Sequence, residues 1–251
     1  MTERIAVLDW GIGGLGVWRA LRQRTLAPTL YLSDSGAAPY GRLSARELSQ
    51  RLEAVCRFVV ERGATSIVVA CNAASTALDA AFIRRVPVPV IGMIEPALGL
   101  ARAHPGYSFG VVGGVRTIRS AVYRRGLLRA GRRVIQRVAQ PLSAHIEGGT
   151  TETRRCAADL DRILAPLAGV DAVLLACTHY PAIRGAIAER LPGVTLLDPA
   201  EAVAERVLES ALVPPPGAAD VFLTTGDPRA FARGAKRAWG LEVECPAVAR
   251  P

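Results

Sequence analysis

Two cysteines stand at matching positions in the chain and could act together as proton carriers. Cys71 follows the apolar run Ser66–Ala70, Cys177 follows Ala172–Ala176, and a small polar residue comes next in both places. In parallel α/β sheets, ligands bind beyond the carboxyl ends of the strands, and a helix N-terminus there favours the thiolate. A thiolate on one face of a carbon can remove a proton while a thiol on the other face delivers one. The pair therefore predicts inversion of a stereocentre without a cofactor.

The remaining cysteines are assigned to packing. A single cysteine at the end of a strand is more often a buried core residue than a reactive one, so it is the matched pair that favours chemistry. Cys56 and Cys156 fall within predicted helices, and Cys245 falls in the C-terminal tail. The five cysteines are odd in number and form no CxxC motif, so we expect reduced thiols without a disulfide framework or a zinc finger.

Three polar residues are candidates for orienting or titrating the two thiols. Asp9 ends the first predicted strand, His179 closely follows Cys177, and Glu147 lies in the loop-like stretch 145–149. A cysteine and a histidine so close together also suggest a pair of metal ligands, but no further ligands cluster nearby in the sequence. We therefore predict acid–base partners for the thiols and no metal.

The elements that must position these residues alternate between short β-branched runs and longer amphipathic stretches, which is typical of parallel α/β proteins. The predicted strands are Arg4–Asp9, Thr29–Ser33, Ser66–Ala70, Val88–Gly92, Ser108–Val112, Arg133–Val138, Asp171–Ala176, Val194–Leu197 and Val221–Thr225. The predicted helices are Leu15–Arg24, Ser44–Arg62, Ala73–Arg84, Thr117–Ala130, Thr150–Leu167, Ala182–Leu191, Pro199–Leu212 and Pro228–Trp239. Ser44 and Glu47 fit a capping box, and the proline-rich stretch 213–217 predicts a connection.

Composition excludes several classes of protein. Lys236 is the single lysine and lies in the charged C-terminal helix, which argues against a pyridoxal phosphate enzyme, and the P-loop pattern is absent. The net charge of +9 comes from scattered arginines rather than from a focused basic surface, so no nucleic-acid partner is predicted. The sequence shows no apolar run of the ~20 residues that span a bilayer and no signal-peptide pattern. We expect a cytoplasmic protein without membrane contact.

The stretch Gly11–Gly16 fits the GxGxxG dinucleotide-binding pattern between a strand and a helix, and Asp34 follows at the end of the second strand. This interpretation ranks last, because Asp9 and Trp10 separate the strand from the first glycine and the duplicated cysteines stay unexplained. The glycines could instead form a nest of backbone amides that holds a carboxylate. Failure to bind NAD(H) would exclude the dinucleotide interpretation.

Taken together, these segments resemble the glutamate racemase family, within the cofactor-independent aspartate/glutamate racemase superfamily, over nearly the whole chain. The two cysteine motifs are Ala70-Cys71-Asn72-Ala73-Ala74-Ser75 and Ala176-Cys177-Thr178-His179-Tyr180-Pro181, of which the second is highly specific. The other matching segments are Asp9–Leu15, Asp34 with Pro39-Tyr40-Gly41, Gly92–Pro96, Thr117 with Ser120 and Tyr123, and Thr224–Pro228.

The resemblance implies an α/β fold of two pseudo-symmetric parallel-sheet lobes, residues 1–96 plus 210–251 and residues 97–209, with the active site in the cleft between them. By it, Cys71 and Cys177 are the two bases, assisted by Asp9, Glu147 and His179, and the substrate is bound by Trp10, Pro39, Tyr40, Gly41, Asn72, Ala73, Thr117 and Thr178. It implies racemisation of the small-molecule substrates L- and D-glutamate without cofactor or metal, which supplies D-glutamate for peptidoglycan in a bacterial cytoplasm. A homodimer is left open.

Two positions depart from the family's pattern. Trp10 stands where the family has serine and Ala73 where it has threonine, so two hydroxyls that would hydrogen-bond the amino acid are absent. Losing one such partner costs ~1–3 kcal/mol. Either Trp10 points outward and glutamate is still turned over, or the enzyme is slow or acts on another amino acid or carboxylate. A non-catalytic binding or regulatory homologue is a further alternative, which the retained set of acid–base residues argues against.

Overall fold

The computed structural model describes residues 2–210, 213–244 and 247–251, in which helices alternate with parallel strands. The strands are β1 (Arg4–Asp9), β2 (Thr29–Ser33), β3 (Ala64–Val69), β4 (Val90–Gly92), β5 (Phe109–Gly113), β6 (Val134–Val138), β7 (Ala172–Ala176), β8 (Thr195–Leu197), β9 (Val221–Thr224) and β10 (Ala247–Val248). The helices are α1 (Leu15–Arg22), α2 (Ala45–Val60), α3 (Asn72–Ser75), α4 (Ala80–Arg85), α5 (Ile94–Arg102), α6 (Val115–Ser120), α7 (Val122–Arg129), α8 (Gln140–Gly148), α9 (Arg154–Leu164), α10 (Arg184–Arg190), α11 (Ala200–Ser210) and α12 (Pro228–Trp239). Short 3₁₀ turns span Ala165–Leu167 and Tyr180–Ile183.

The strands form two separate parallel sheets, which confirms the predicted fold class. One sheet has six strands in the order β10-β9-β2-β1-β3-β4, and the other has four in the order β6-β5-β7-β8. The strands β2, β5 and β7 are buried along their whole length, because helices cover both faces of a parallel sheet. This two-sided burial is why these strands read as continuous apolar runs rather than as alternating patterns.

The tail after the proline-rich stretch 213–217 returns to the six-stranded sheet, since a single strand and helix cannot bury themselves. Strand β9 pairs with β2, and β10, which the sequence does not predict, pairs with β9. Helix α11 packs against α1 and also against α5. We propose the division into residues 1–96 plus 210–251 and residues 97–209 as the two folding units. The predicted tail residue Cys245 lies outside the described residues.

The predicted strands agree with the structure, whereas two long predicted helices are each divided into two shorter helices. Every predicted strand is present, with ends that differ by at most two residues. The predicted helix 73–84 is divided into α3 and α4, because the Asp79 side chain accepts a bond from the Phe82 amide at 2.7 Å and starts a new helix. The predicted helix 117–130 is divided into α6 and α7 at Ala121, whose φ of 52° is left-handed.

The segment around Glu147 also differs from its prediction. Glu147 lies on helix α8 rather than in a loop, and the helix ends at Gly149, whose φ of 69° makes it a left-handed C-cap. The predicted helix 150–167 begins only at α9, because the Thr153 side chain accepts from the Cys156 amide at 3.2 Å. Helix α5 is absent from the sequence prediction, although Pro96 in its first turn is compatible with a helix start.

The loop that leads from β2 to α2 is anchored by one buried carboxylate. Asp34 is 0% exposed, and its two oxygens accept from Nε and Nη2 of Arg51 at 2.8 and 2.5 Å. The same carboxylate accepts from the Tyr40 hydroxyl at 2.8 Å and from the Thr225 hydroxyl at 2.9 Å. Helix α2 itself starts with the predicted capping box at Ser44. The loop containing Tyr40 is therefore held between α2 and the tail.

Substitution of Arg51 tests this anchor. Arg51→Met leaves a buried carboxylate without its cation, so the free energy of unfolding should fall by ~3–5 kcal/mol in urea denaturation followed by circular dichroism. Arg46→Met, at an exposed position on the same helix, is the control and should change stability by less than about 0.5 kcal/mol. Equal stability of the two variants would contradict the proposed anchor.

Candidate functional site

A cleft of about 570 Å³ brings together every site residue predicted from the sequence. Its lining includes Asp9, Trp10, Pro39, Tyr40, Gly41, Cys71, Asn72, Ala73, Thr117, Glu147, Cys177, Thr178 and His179. Cys71 follows β3 of the six-stranded sheet and Cys177 follows β7 of the four-stranded sheet, so both lie at carboxyl ends of strands. A larger cavity of about 620 Å³ between α5 and α7 is lined by neither cysteine. The cleft with the two thiols is therefore the candidate active site.

The glycine loop after β1 lies against this cleft, which explains the pattern that otherwise suggests a dinucleotide site. A Cβ atom on Gly13 would lie 2.5 Å from Nδ1 of His179 and 2.6 Å from Oγ1 of Thr178. A Cβ atom on Gly11 would collide with the carboxylate of Glu147. The glycines are needed at these positions because polar side chains from the four-stranded side pack directly on the loop backbone.

A carboxylate, an imidazole and a sulfur form a chain on one side of the cleft. Oε1 of Glu147 lies 2.6 Å from Nε2 of His179 and also accepts from the Ile12 amide at 2.9 Å. Nδ1 of the same imidazole lies 3.7 Å from Sγ of Cys177. With both ring nitrogens facing acceptors, an imidazolium can donate in both directions and favours negative charge on the sulfur.

The protonation of this chain follows from its contacts. Burial lowers the pKa of His179, but its hydrogen bonds to Cys177 and Glu147 outweigh burial and raise the pKa well above the ordinary value. Burial raises the pKa of Glu147, but the hydrogen bond and the charge of His179 outweigh it and leave the pKa below the ordinary value. At neutral pH the pair is therefore a carboxylate and an imidazolium.

The other thiol has a carboxylate partner instead of a cation. Asp9 accepts from the amides of Trp10 and Gly14 at 2.7 and 2.5 Å, and from the Thr178 hydroxyl at 3.2 Å. Burial raises the pKa of Asp9, against the lowering effects of the nearby His179 imidazole, of a hydrogen bond with Cys71 and of the Trp10 and Gly14 amides. Burial, and then the charge of Asp9, raise the pKa of Cys71 well above the ordinary value. Cys71 therefore holds its proton in the resting state.

The expectation that a helix N-terminus makes Cys71 a thiolate is wrong. Helix α3 spans four residues, so few peptide dipoles are aligned toward the sulfur. The Ala74 amide lowers the pKa of Cys71 to some extent, but the effect of burial is larger. After Cys177, likewise, the chain forms a short 3₁₀ turn, Tyr180–Ile183, before α10 begins. Side-chain partners rather than helix dipoles distinguish the two sulfurs.

Asn72, which lines the cleft, has a buried side-chain donor without a partner in the described part of the chain. Its Oδ1 accepts from the hydroxyl of Tyr123, whereas its Nδ2 has no hydrogen-bond partner among the described residues. Asn72 is only 3% exposed, and an unpaired buried donor costs ~1–3 kcal/mol. A ligand with an acceptor oxygen, such as a carboxylate, would remove this cost.

Trp10 lies in the wall of the cleft and does not point outward. Its indole Nε1 donates to the Ala37 carbonyl at 3.0 Å, which fixes the ring against the loop after β2. Trp10 and Ala73 pack on the same apolar cluster as Cys71. Both departures from the family's pattern therefore place apolar surface in the wall of the cleft.

Several cleft residues are absent from the sequence prediction. They are Arg42, Gly114, Val115, Arg116, Gln140, Ser143, Ala144 and Ala176. Three of them share the face of α8 with Glu147, at a spacing that a helix places on one side. Helical periodicity would therefore have found this face if α8 had been predicted. Asp34, in contrast, does not line the cleft and instead holds the loop that does.

Neither a metal centre nor a membrane span is found in the part of the chain that the structure describes. Within residues 2–210, 213–244 and 247–251, no three His, Cys, Asp or Glu side chains are grouped so that they could hold a metal ion. In the same residues, no helix has both the length and the apolar character needed to cross a bilayer.

Removal of the Glu147 charge tests the proton assignment. In Glu147→Gln the imidazolium loses its carboxylate partner, so the pKa of His179 should fall and the ring should lose its proton at a lower pH than in the wild type. The chain has three histidines, so ¹⁵N NMR can follow each titration. Glu152→Gln, at an exposed position, is the control. A pKa of His179 that is unchanged or higher in Glu147→Gln would contradict the assignment.

Comparisons with known proteins find a matching family and similar curated proteins. The family described as Asp/Glu/Hydantoin racemase matches residues 16–207. A glutamate racemase of Parafrankia sp. (strain EAN1pec) is 38% identical over 261 residues, covering 98% of this chain and 94% of that protein. A glutamate racemase of Pseudomonas paraeruginosa is 36% identical over 252 residues, covering 95% of this chain and 94% of its own length.

Solved structures are similar over the whole chain. A glutamate racemase isoform from Bacillus anthracis has a TM-score of 0.89 at 28% identity, covering 98% of this chain and 97% of that one. A glutamate racemase from Thermus thermophilus, solved in complex with β-chloro-D-alanine, has a TM-score of 0.85 at 33% identity, covering 100% of this chain and 97% of that one. The fold, the paired thiols and these similarities lead to one conclusion: the chain belongs to the Asp/Glu/Hydantoin racemase family.

Proposed function

We propose that this protein is a cofactor-independent glutamate racemase, an isomerase that interconverts L- and D-glutamate by proton transfer between two cysteines. The observation that supports it most directly is that Cys71 and Cys177 line one cleft from two different sheets, each with its own acid–base partner. The names of the relatives, which are glutamate racemases at 36–38% identity, support glutamate as the substrate.

In the proposed mechanism the resting site already contains one base and one acid. Cys177, whose sulfur faces the His179 imidazolium, is assigned as the base, and Cys71, the protonated thiol beside Asp9, is assigned as the acid. With the α-carbon of the amino acid between the sulfurs, Cys177 removes the α-proton from one face, while Cys71 delivers its proton to the opposite face. The other enantiomer is formed, with a thiol at Cys177 and a thiolate at Cys71, which is the starting state for the reverse reaction.

The carbanion formed between these two steps needs electrostatic stabilisation. Negative charge that develops at the α-carbon spreads onto the α-carboxylate, where a fixed hydrogen-bond donor has its largest effect. Asn72 directly follows Cys71 in the sequence. We assign its unpaired Nδ2 as the donor to this carboxylate. The Tyr123 hydroxyl, bonded to the other end of the amide, holds that donor in place.

Glutamate in this role is a free metabolite, and D-glutamate formed in a bacterial cytoplasm would supply peptidoglycan synthesis. The bacterial cytoplasm and the supply of peptidoglycan synthesis are part of the proposal. A homodimer stays a prediction. Sedimentation velocity would decide the assembly.

An alternative substrate has one observation in its favour. Trp10 and Ala73 present apolar surface to the cleft in place of two hydroxyls. The same two-thiol mechanism could therefore act on a different amino acid or carboxylate. Polarimetry with single enantiomers of several amino acids distinguishes glutamate from another substrate. If another amino acid is turned over faster than glutamate, the assigned substrate changes and the two-thiol mechanism is kept.

Exchange of the α-proton tests the proposed reaction. Wild-type protein in D₂O, without any added cofactor, should remove the α-proton signal of both L- and D-glutamate in proton NMR. Cys71→Ser and Cys177→Ser should each lower the racemisation rate by about 10³-fold or more, because each enantiomer needs both groups. Cys156→Ala, in helix α9 outside the cleft, is the matched control. Full racemisation by either site variant would overturn the mechanism.

A further inference from the structure

Arg116 is a cation in the cleft that none of the proposed chemical steps uses. It lies on helix α6, beside the four-stranded sheet, and lines the cleft. Its Nε donates to the Tyr40 carbonyl at 3.2 Å, and its Nη2 donates to the Leu43 carbonyl. Both acceptors belong to the loop that follows β2 of the other sheet, so the guanidinium spans the two sides of the cleft.

The two hydrogen-bond acceptors of Arg116 are uncharged groups. Both of its bonds are to backbone carbonyls, which are dipoles without a full negative charge. Across residues 2–210, 213–244 and 247–251, no acidic side chain forms an ion pair with it. A guanidinium has five N–H donors, so further donors remain for a ligand, and a carboxylate is the group that matches its geometry.

The end of the substrate that is remote from the reaction needs its own donor in the wall of the cleft. Asn72 and Thr178 are next to the two sulfurs in the chain, so they flank the α-carbon and its carboxylate. The second carboxylate of glutamate must reach another part of the wall. Trp10 and Ala73 offer no hydrogen-bond donor to the ligand from their side chains, since the indole N–H is bonded to the Ala37 carbonyl.

We propose that Arg116 is the specificity-determining residue that binds the distal carboxylate of the substrate and selects an acidic amino acid over a neutral one. This inference rests on the proposed function, because it assigns a residue to one end of glutamate. The guanidinium is preorganised for the task. Its acceptor Tyr40 is fixed by the hydroxyl bond to Asp34, and Asp34 is fixed by Arg51.

Calorimetric titration with D-glutamate and with its neutral counterpart D-glutamine tests this role. In Arg116→Met, the association constant for D-glutamate should fall about tenfold or more, whereas that for D-glutamine should change less than about threefold. Arg116→Lys should keep part of the preference, because it retains the charge without the planar fork. Arg119→Met, at an exposed position on the same helix, is the control and should bind like the wild type.

Three results would overturn the inference. The first is an equal loss of affinity for both ligands in Arg116→Met, which would mean that Arg116 only supports the loop. The second is unchanged affinity for D-glutamate in a folded Arg116→Met protein. If the wild type exchanges the α-proton of glutamate in either case, the proposed function stands and this inference alone fails. The third is a folded wild type that neither binds nor exchanges glutamate, and it removes both proposals.

Discussion

One carboxylate oxygen joins three parts of the chain, and the chemistry of the cleft depends on that junction. Oε1 of Glu147 faces the imidazole of His179 and also accepts from the amide of Ile12, so helix α8, the turn after β7 and the loop after β1 meet at one atom. The contact is possible because Gly11 and Gly13 have no side chains. A larger residue there would displace the imidazole from its sulfur, and a shift of ~1 Å in a catalytic group can cost about 10²-fold in rate.

Burial and pairing divide the work between two chemically identical thiols. A buried charge is costly unless it is paired, and the imidazolium of His179 supplies the pairing on one side. Cys71 faces the carboxylate of Asp9 rather than a cation, and burial together with the charge of that carboxylate keeps the proton on the Cys71 sulfur. The proposed mechanism needs this asymmetry, because a two-base reaction requires one group ready to accept and another ready to donate at the same moment.

The sequence predicts the parts of this structure that depend on local composition. Strands β2, β5 and β7 are recognisable because both of their faces are buried, and the thiols follow from two matching strand ends. The helix breaks are missed because single residues decide them, such as the cap at Asp79 and the left-handed φ of Ala121. Glu147 is predicted as a site residue but in the wrong element, since the glycines that end its helix resemble a loop. Arg116 cannot be distinguished from the scattered surface arginines until the two sides of the cleft are in place.

The source of the proton in the product tests the two-thiol account most directly. L-glutamate is incubated with the protein in D₂O, and the reaction is stopped early. The enantiomers are then separated, and the deuterium content of each is measured by mass spectrometry. If one thiol removes the α-proton and the other, exchanged with solvent, delivers a deuteron, the D-glutamate carries deuterium while the remaining L-glutamate keeps protium. D-glutamate that keeps the original proton would contradict the account, because a single group would then have carried that proton from one face to the other.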